Sequence, residues 1–370
     1  MCDTLYYNIS IDNIAPQTAG LTHGNYANPL NPSIIANNSQ PVLDSPDLWY
    51  GSIIRASIPC FSTPLIQFLV NTPVTNINQG IYSFTLGYQG FFGSQTYYDF
   101  VPQVENAIVP KTGTLLQDFS TQYYFLFSYG AWVNIMNTAL ASAFSSLADL
   151  VTLPIGSVAP YFYYEPATQL ITLYAQKDFY DSSVSTPINI FFNSVSNQNF
   201  NGFSYIEKAI GSATGVDSQF IVKNIRNNNI QTILTVEYLL MSQEYVSLGY
   251  LSPLKNILIT TNMPTNSEVF YINNPSATQN NDFINVLFDF VPDTSGSQDA
   301  GQGSRSFIYN APSLYRVFEF TTKTPLYAVS LGISWSDQLG NVYPLLLQKG
   351  TIASFKIMFV KKSVFSKFLL

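Results

Sequence analysis

The chain has 370 residues, enough for two domains or one large β-rich domain, and 46% of them are hydrophobic and 15% aromatic while only 10% are charged, against roughly 25% in an average soluble domain. A net charge of −7 excludes a nucleic-acid wrapper, which needs clustered Lys and Arg to neutralise phosphates. With so little charge, Asn, Gln, Ser, Thr and Tyr must solvate part of the surface, and a second expectation is that much of it is covered by neighbouring copies, because the buried centres of interfaces are depleted in charged residues.

In chain order, the first strand is expected at residues 48–58 (LWYGSIIRASI), opened by Ser-Pro-Asp and closed by Pro59. Residues 81–88 (IYSFTLGY) and 97–101 flank a Gly-rich turn and are expected to pair. One segment breaks the β pattern: residues 131–150 place Trp132, Met136, Leu140, Phe144 and Leu147 at three- and four-residue steps, which predicts a single amphipathic helix. Its other face is Asn, Thr and Ser, so it belongs at a surface or interface without salt bridges. Residues 160–165 and 170–176 bracket Pro-Ala-Thr-Gln and read as a hairpin. Seven further strands follow at 231–241, 255–260, 283–291, 315–320, 326–337, 342–347 and 352–360, the short-strand spacing of a sandwich. Between two of them, residues 293–305 (DTSGSQDAGQGSR) are expected to be a mobile loop.

The opening MCDTLYYNIS lacks a basic start followed by an apolar run, so no signal peptide is expected. Cys2 and Cys60 are too few for a disulfide framework and fit a reducing compartment. No apolar run approaches the ~18 residues of a membrane helix.

The chain is poor in catalytic kit. His23, the single histidine, sits in LTHGN with no orienting acid or nucleophile near it in sequence, so it reads as a loop residue. One His and two distant Cys exclude a His/Cys zinc site, and no EF-hand spacing offers a calcium loop. The Gly-rich 295–303 lacks the GK[ST] ending of a phosphate loop. Paired carboxylates remain, with Glu165, Glu237, Asp289 and Asp337 as candidates, because glycoside hydrolysis needs only two acids across a cleft. Each lies on or beside an expected strand, where exposed acids are common. No cofactor is expected. A glycan-binding or glycan-cleaving β-sandwich fibre or adhesin stays as the alternative function, its distinguishing mark being exposed Trp and Tyr rows beside paired acids.

Four patches carry a family likeness. ISWSDQLGNVYPLLL, followed by a Gly turn and a strand ending FKIMFVKK, resembles the C-terminal end of the penton, or minor capsid, proteins of virophages and polinton-like viruses. SPDLWYGSIIRASIPCFSTPLIQF is similar to their early strand, YGAWVNIMNTALASAF with APYFYYEPATQLITLYA to their central region, and NAPSLYRVFEF to a strand before the final hairpin. The patches span about a third of the chain, in consistent order, and none is catalytic.

The resemblance implies a mainly β protein: a single jelly-roll β-sandwich with an inserted second domain carrying one amphipathic helix. The sandwich is expected from residues 1–71 and 225–370, and the insertion from 72–224. It implies a structural protein, not an enzyme, assembled inside the infected host cell and placed in the virion as a homopentamer at the five-fold vertices of an icosahedral capsid. Its partners would be copies of itself, the neighbouring major capsid protein and, through the outward insertion, a host receptor or glycan. Trp49, Ile54, Trp335, Phe355, Ile357 and Phe359 are the expected core residues, the last three sharing one face by period-two alternation. The C-terminal end carries Lys361, Lys362 and Lys367 with no acid, a candidate inner-face basic group and the one place where nucleic acid could be met. Asp337 beside Gly340-Asn341 reads as a turn residue.

Overall fold

A computed structural model describes residues 3–12, 33–60, 63–71, 78–101, 123–209, 216–224, 228–266, 268–271, 283–292, 306–311, 316–338, 340–345, 347 and 351–365. His23, Cys2, Lys367 and the loop 293–305 lie outside them. Eight strands build a sandwich: β1 (Thr4–Asp12), β2 (Ser33–Asn37), β3 (Trp49–Pro59), β4 (Leu254–Thr260), β5 (Phe283–Phe290), β6 (Ser306–Asn310), β7 (Ala328–Asp337) and β8 (Ile352–Lys361). One sheet runs β1-β8-β3-β6, with the short Phe318–Glu319 also paired to β3, and the other runs β2-β7-β4-β5, extended by Glu268–Tyr271 beyond β5 and by Val342–Pro344 beside β7. The chain changes sheet at every step but β4 to β5, which is the connectivity of a jelly roll.

Alternation explains the core between the sheets. Val329, Leu331, Ile333 and Trp335 of β7 and Ala353, Phe355, Ile357 and Phe359 of β8 all point inward. β1 pairs with β8 over nine residues, Thr4↔Val360 to Asp12↔Ile352. Reading the first ten residues only for a signal peptide overlooks this strand, although Leu5, Tyr7, Ile9 and Ile11 alternate toward the core.

β3 changes face part-way. Its register with β8 slips from Lys356↔Arg55 to Ile357↔Ile53, a bulge that leaves Ile54 unpaired. Ile53 is therefore inward with Ala56 and Ile58, while Ile54 joins Tyr50, Met358, Val360 and Phe365 on the outer face. The expectation that Ile54 is a sandwich-core residue is corrected by this extra residue. Trp49 is only half-buried, packed at the margin of the core.

A second core, drawn from Leu65 to Leu251, lies between β3 and β4. Its helix α1 (Tyr129–Ala148) begins and ends two residues before the expected bounds and buries Trp132, Met136, Leu140 and Leu147. Strands Tyr161–Glu165 and Leu170–Gln176 form the expected hairpin, and Gln79–Tyr88 pairs with Thr96–Asp99 as expected. The expected single strand 231–241 is instead a hairpin, Asn228–Ile233 against Val236–Ser242, and the latter pairs with Leu170–Gln176. Its turn falls at Leu234 and Thr235, whose φ values are 50° and 90°; neither residue type signals a left-handed turn, so the sequence hides it. Residues 65–70 and 228–251 thus pack with the second core, and the expected sandwich bounds of 71 and 225 give way to 60 and 254.

The strand directions define two poles. β3 leaves the sandwich at Pro59 and β4 re-enters at Leu254, whereas at the far end of β3 Trp49 pairs with Lys361. In the second core, Gln79–Tyr88 starts beside Val70, near the entry point, and runs away from it.

Candidate assembly surfaces

No described feature has the form of an active site. Asp337 is buried and accepts hydrogen bonds from the Asn341 backbone N–H (2.8 Å), the Asn341 Nδ2 (2.8 Å) and the Tyr343 hydroxyl (3.3 Å), so it closes the turn after β7. Asp289 accepts from Arg316 at 2.6 Å and Asn256 at 3.2 Å. Glu237 pairs with Lys177 at 2.6 Å, which raises the Lys177 pKa through that bond, and Glu165 accepts from the Ala167 backbone in its own hairpin. The four candidate acids are thus occupied separately, each in local structural work. Among the described residues, no three of His, Cys, Asp and Glu gather as a metal site, and no helix is long and apolar enough to cross a membrane.

The outer face of the β1-β8-β3-β6 sheet is a built surface. Lys356 lies 4.8 Å from the Tyr6 ring and Lys362 lies 5.1 Å from Tyr50, while Lys361, at the end of β8 on the side of Phe359, lies 5.7 Å from Trp49 at the margin of the core. Lys361 also reaches Asp3 (3.1 Å) and Lys362 reaches Glu319 (3.0 Å). Exposed ion pairs of this kind add ~0–1 kcal/mol each, so their consequence is neutralisation rather than stability. Lys356 and Lys362 lie over aromatic rings on the face that carries the cluster of Met358, Val360, Tyr50, Ile54, Val317 and Phe365. Asp3 and Tyr6, unread in the sequence with the rest of β1, complete this arrangement.

The Asn-, Thr- and Ser-rich face of α1 is the second surface. Asn134, Thr138, Ala141, Ser142, Ser145 and Asp149 line an open groove of about 780 Å³. Asn137 is held inside, its amide bonding both ways to the Phe162 backbone at 2.9 and 2.7 Å. Of the aromatics that a glycan platform would need, Trp132 and Trp335 are fully buried. Tyr161 and Tyr174 stack on each other (5.0 Å, 10°), and burial raises both phenol pKa values, helped by nearby Tyr174 and Tyr238 at Tyr161 and by Tyr163 and Glu165 at Tyr174.

Comparison with known proteins places the whole arrangement. The family model of the Sputnik minor capsid protein V18/19 matches residues 5–361. The chain belongs to this family. It is a virophage minor capsid protein, and its place is the virion capsid. Structural protein V19 of Sputnik virophage is 33% identical over 218 residues, 56% of this chain and 96% of V19. The uncharacterized protein V18 of the same virus is 32% identical over 167 residues, 44% of this chain and 92% of V18. A chain of the cryo-EM structure of the Sputnik virophage superposes with a TM-score of 0.78 at 30% identity, covering 98% of this chain and 99% of that one. The mavirus penton protein shares the fold, with a TM-score of 0.63 at 17% identity over 97% of this chain and 99% of its own.

Proposed function

We propose that the protein is the penton subunit of an icosahedral virophage capsid, closing as a homopentamer at the five-fold vertices. Its role is structural and not catalytic. The polarity of the fold carries this reading: Lys361 and Lys362 sit at the sandwich pole opposite the second core. A jelly roll standing upright at a vertex would turn the lysine pole, with Lys367 beyond it, to the inner rim. The second core, spanning about residues 63–251, would act as an outward insertion domain. Ring closure requires a head-to-tail interface repeated by about 72°. Neutralised, aromatic-rich flanks such as the β1-β8-β3-β6 outer face suit that interface and contact with the neighbouring major capsid protein.

The test is sedimentation velocity with electron microscopy of the purified protein. Five-fold rings, broken by Met358→Glu on the outer face, are expected. A protein that stays monomeric at high concentration, or closes with another symmetry, overturns the proposal.

A further inference from the structure

The pole of the second core farthest from the sandwich carries three chain reversals, each ending in exposed apolar side chains. At the first, Phe91 and Phe92 are 53% and 41% exposed; after α1, Ile155 is 100% exposed and Leu150 57%; at the third, Leu234 is 92% exposed. Hydrogen bonds tie these tips to one end. The Ser94 backbone N–H donates to Ser146 Oγ in the last turn of α1, fixing the first tip beside the segment that holds Leu150 and Ile155. Gln176 then donates to the Gly156 carbonyl and accepts from the Val158 N–H, and Gln176 pairs with Tyr238 at the foot of the third tip. Ile188 bonds to the Phe179 carbonyl, and its neighbour Asn189 pairs with Gly87, which closes the circle back to the first tip.

The tips are held rigidly. Gln89 and Gly90 both have positive φ, 50° and 82°, and the Phe92 ring packs edge-on to Phe191 (5.7 Å) over the bare backbone of Gly87. At the third tip, Leu234 and Thr235 occupy left-handed conformations that Asn-Gly would adopt without strain. A leucine that is strained and 92% exposed serves no packing purpose in this chain.

Residues 87–95, 150–158 and 229–236 contain no charged side chain. In the sequence they are flanked by Asp149 and by Glu237, which pairs with Lys177. Nucleic acid would need cations there, and a sugar would need hydrogen-bonding groups beside open ring faces. Separate aliphatic and aromatic points on rigid turns instead suit the boundary between headgroups and acyl chains. We infer that this pole is a membrane-docking site, whose ligand is an electrically neutral phospholipid bilayer entered by Phe91, Phe92, Ile155 and Leu234. With no cation in the three described stretches, it gains nothing from anionic lipid. The inference stands apart from ring closure, because a single subunit carries all three tips.

The test is flotation of the full-length protein with phosphatidylcholine vesicles, with and without phosphatidylserine. Binding to the neutral vesicles is expected, reduced at least tenfold by Phe91→Ser, Ile155→Ser and Leu234→Ser combined and unchanged by Ile308→Ser on the sandwich. Leu234→Asn, which suits the left-handed turn, separates folding from docking: it should keep or raise the melting temperature and still weaken flotation. Absence of binding to neutral vesicles, binding only with phosphatidylserine, or equal binding by the triple variant overturns the inference. Loss of self-association in the triple variant, without lipid binding in the parent, assigns the tips to a second copy and overturns it equally.

Discussion

Phe125 meets the indole of Trp335 edge-on, with ring centroids 5.9 Å apart and planes at 74°. Phe125 belongs to the strand Tyr123–Leu126 that pairs with Ile66–Leu69 of the second core, while Trp335 is buried in the sandwich with Tyr343 stacked on it at 4.4 Å. This pair is a joint between the two cores, and an aromatic pair contributes ~0.5–1.5 kcal/mol beyond area burial. Phe125→Ala should lower stability by about 2 kcal/mol, less than the ~3–5 of a fully buried Phe, and let the cores unfold in separate steps. Urea unfolding followed by Trp fluorescence and by circular dichroism checks it: the probes should diverge in the variant. A single unshifted transition counts against the joint.

Gly51 of β3 faces Phe318, whose ring would stand 2.2 Å from a Cβ built there. The ring lies directly over the glycine backbone, and Phe318 in turn packs on Phe320 and so toward Phe359. Gly51→Ala should therefore displace a buried ring and cost about 1–3 kcal/mol, the range for overpacking. Gly249→Ala meets open space and serves as the control. Equal melting temperatures for the two variants would show that Phe318 moves freely.

Residues whose neighbours in sequence determine their environment were legible. Period-two runs such as Val329 to Trp335 and the 3.6-residue stripe of α1 announce their buried faces before any tertiary contact is known. Ile54 was not, because a bulge depends on how many residues the partner strand offers opposite. The 228–242 hairpin was hidden for a similar reason, since Leu234-Thr235 adopts a backbone its side chains disfavour. The candidate assembly surface was half legible: the terminal lysines show in the sequence, but their partners Asp3, Tyr6, Tyr50 and Glu319 come from three distant segments.

Alkaline pH should expose the buried phenols. Burial raises the Tyr82 pKa to about 12 and pushes Tyr98 and Tyr180 upward in the same way. Below pH ~10 folded and unfolded chains both hold these protons, so stability does not change on their account. Above it the unfolded chain releases them and the folded chain does not, so stability falls as pH rises through the folded values, by roughly 3 kcal/mol for Tyr82. Phenolate absorbance at 295 nm should then show a cooperative step coincident with loss of circular dichroism. Smooth ionisation of all 25 tyrosines while the fold persists would contradict the burial.

Replacing Leu234-Thr235 by Asn-Gly tests the strained turn directly. The left-handed conformation costs a non-glycine residue roughly 1–2 kcal/mol, and Asn-Gly is the favoured pair for a two-residue hairpin turn. The double variant should gain about 1–2 kcal/mol in denaturant midpoint analysis. No gain, or a loss, would mean that the turn is not left-handed in solution.

Phe359 and Ile54 separate the two faces of the same sheet. Phe359 is fully buried between the sheets, 6.0 Å from Phe320, whereas Ile54 is half-buried on the outer face beside Tyr50 and Phe365. Phe359→Asp removes an aromatic ring, worth about 3–5 kcal/mol, and places a carboxyl group within an apolar core. That sum approaches the whole stability of a typical domain, ~5–15 kcal/mol, so the variant should not accumulate as soluble folded protein. Ile54→Asp keeps the sandwich core intact and should fold, with its damage confined to assembly. Soluble expression, circular dichroism and sedimentation of the pair decide the matter. A soluble, assembling Phe359→Asp would refute the placement of β8, and an insoluble Ile54→Asp would refute the bulge that turns Ile54 outward.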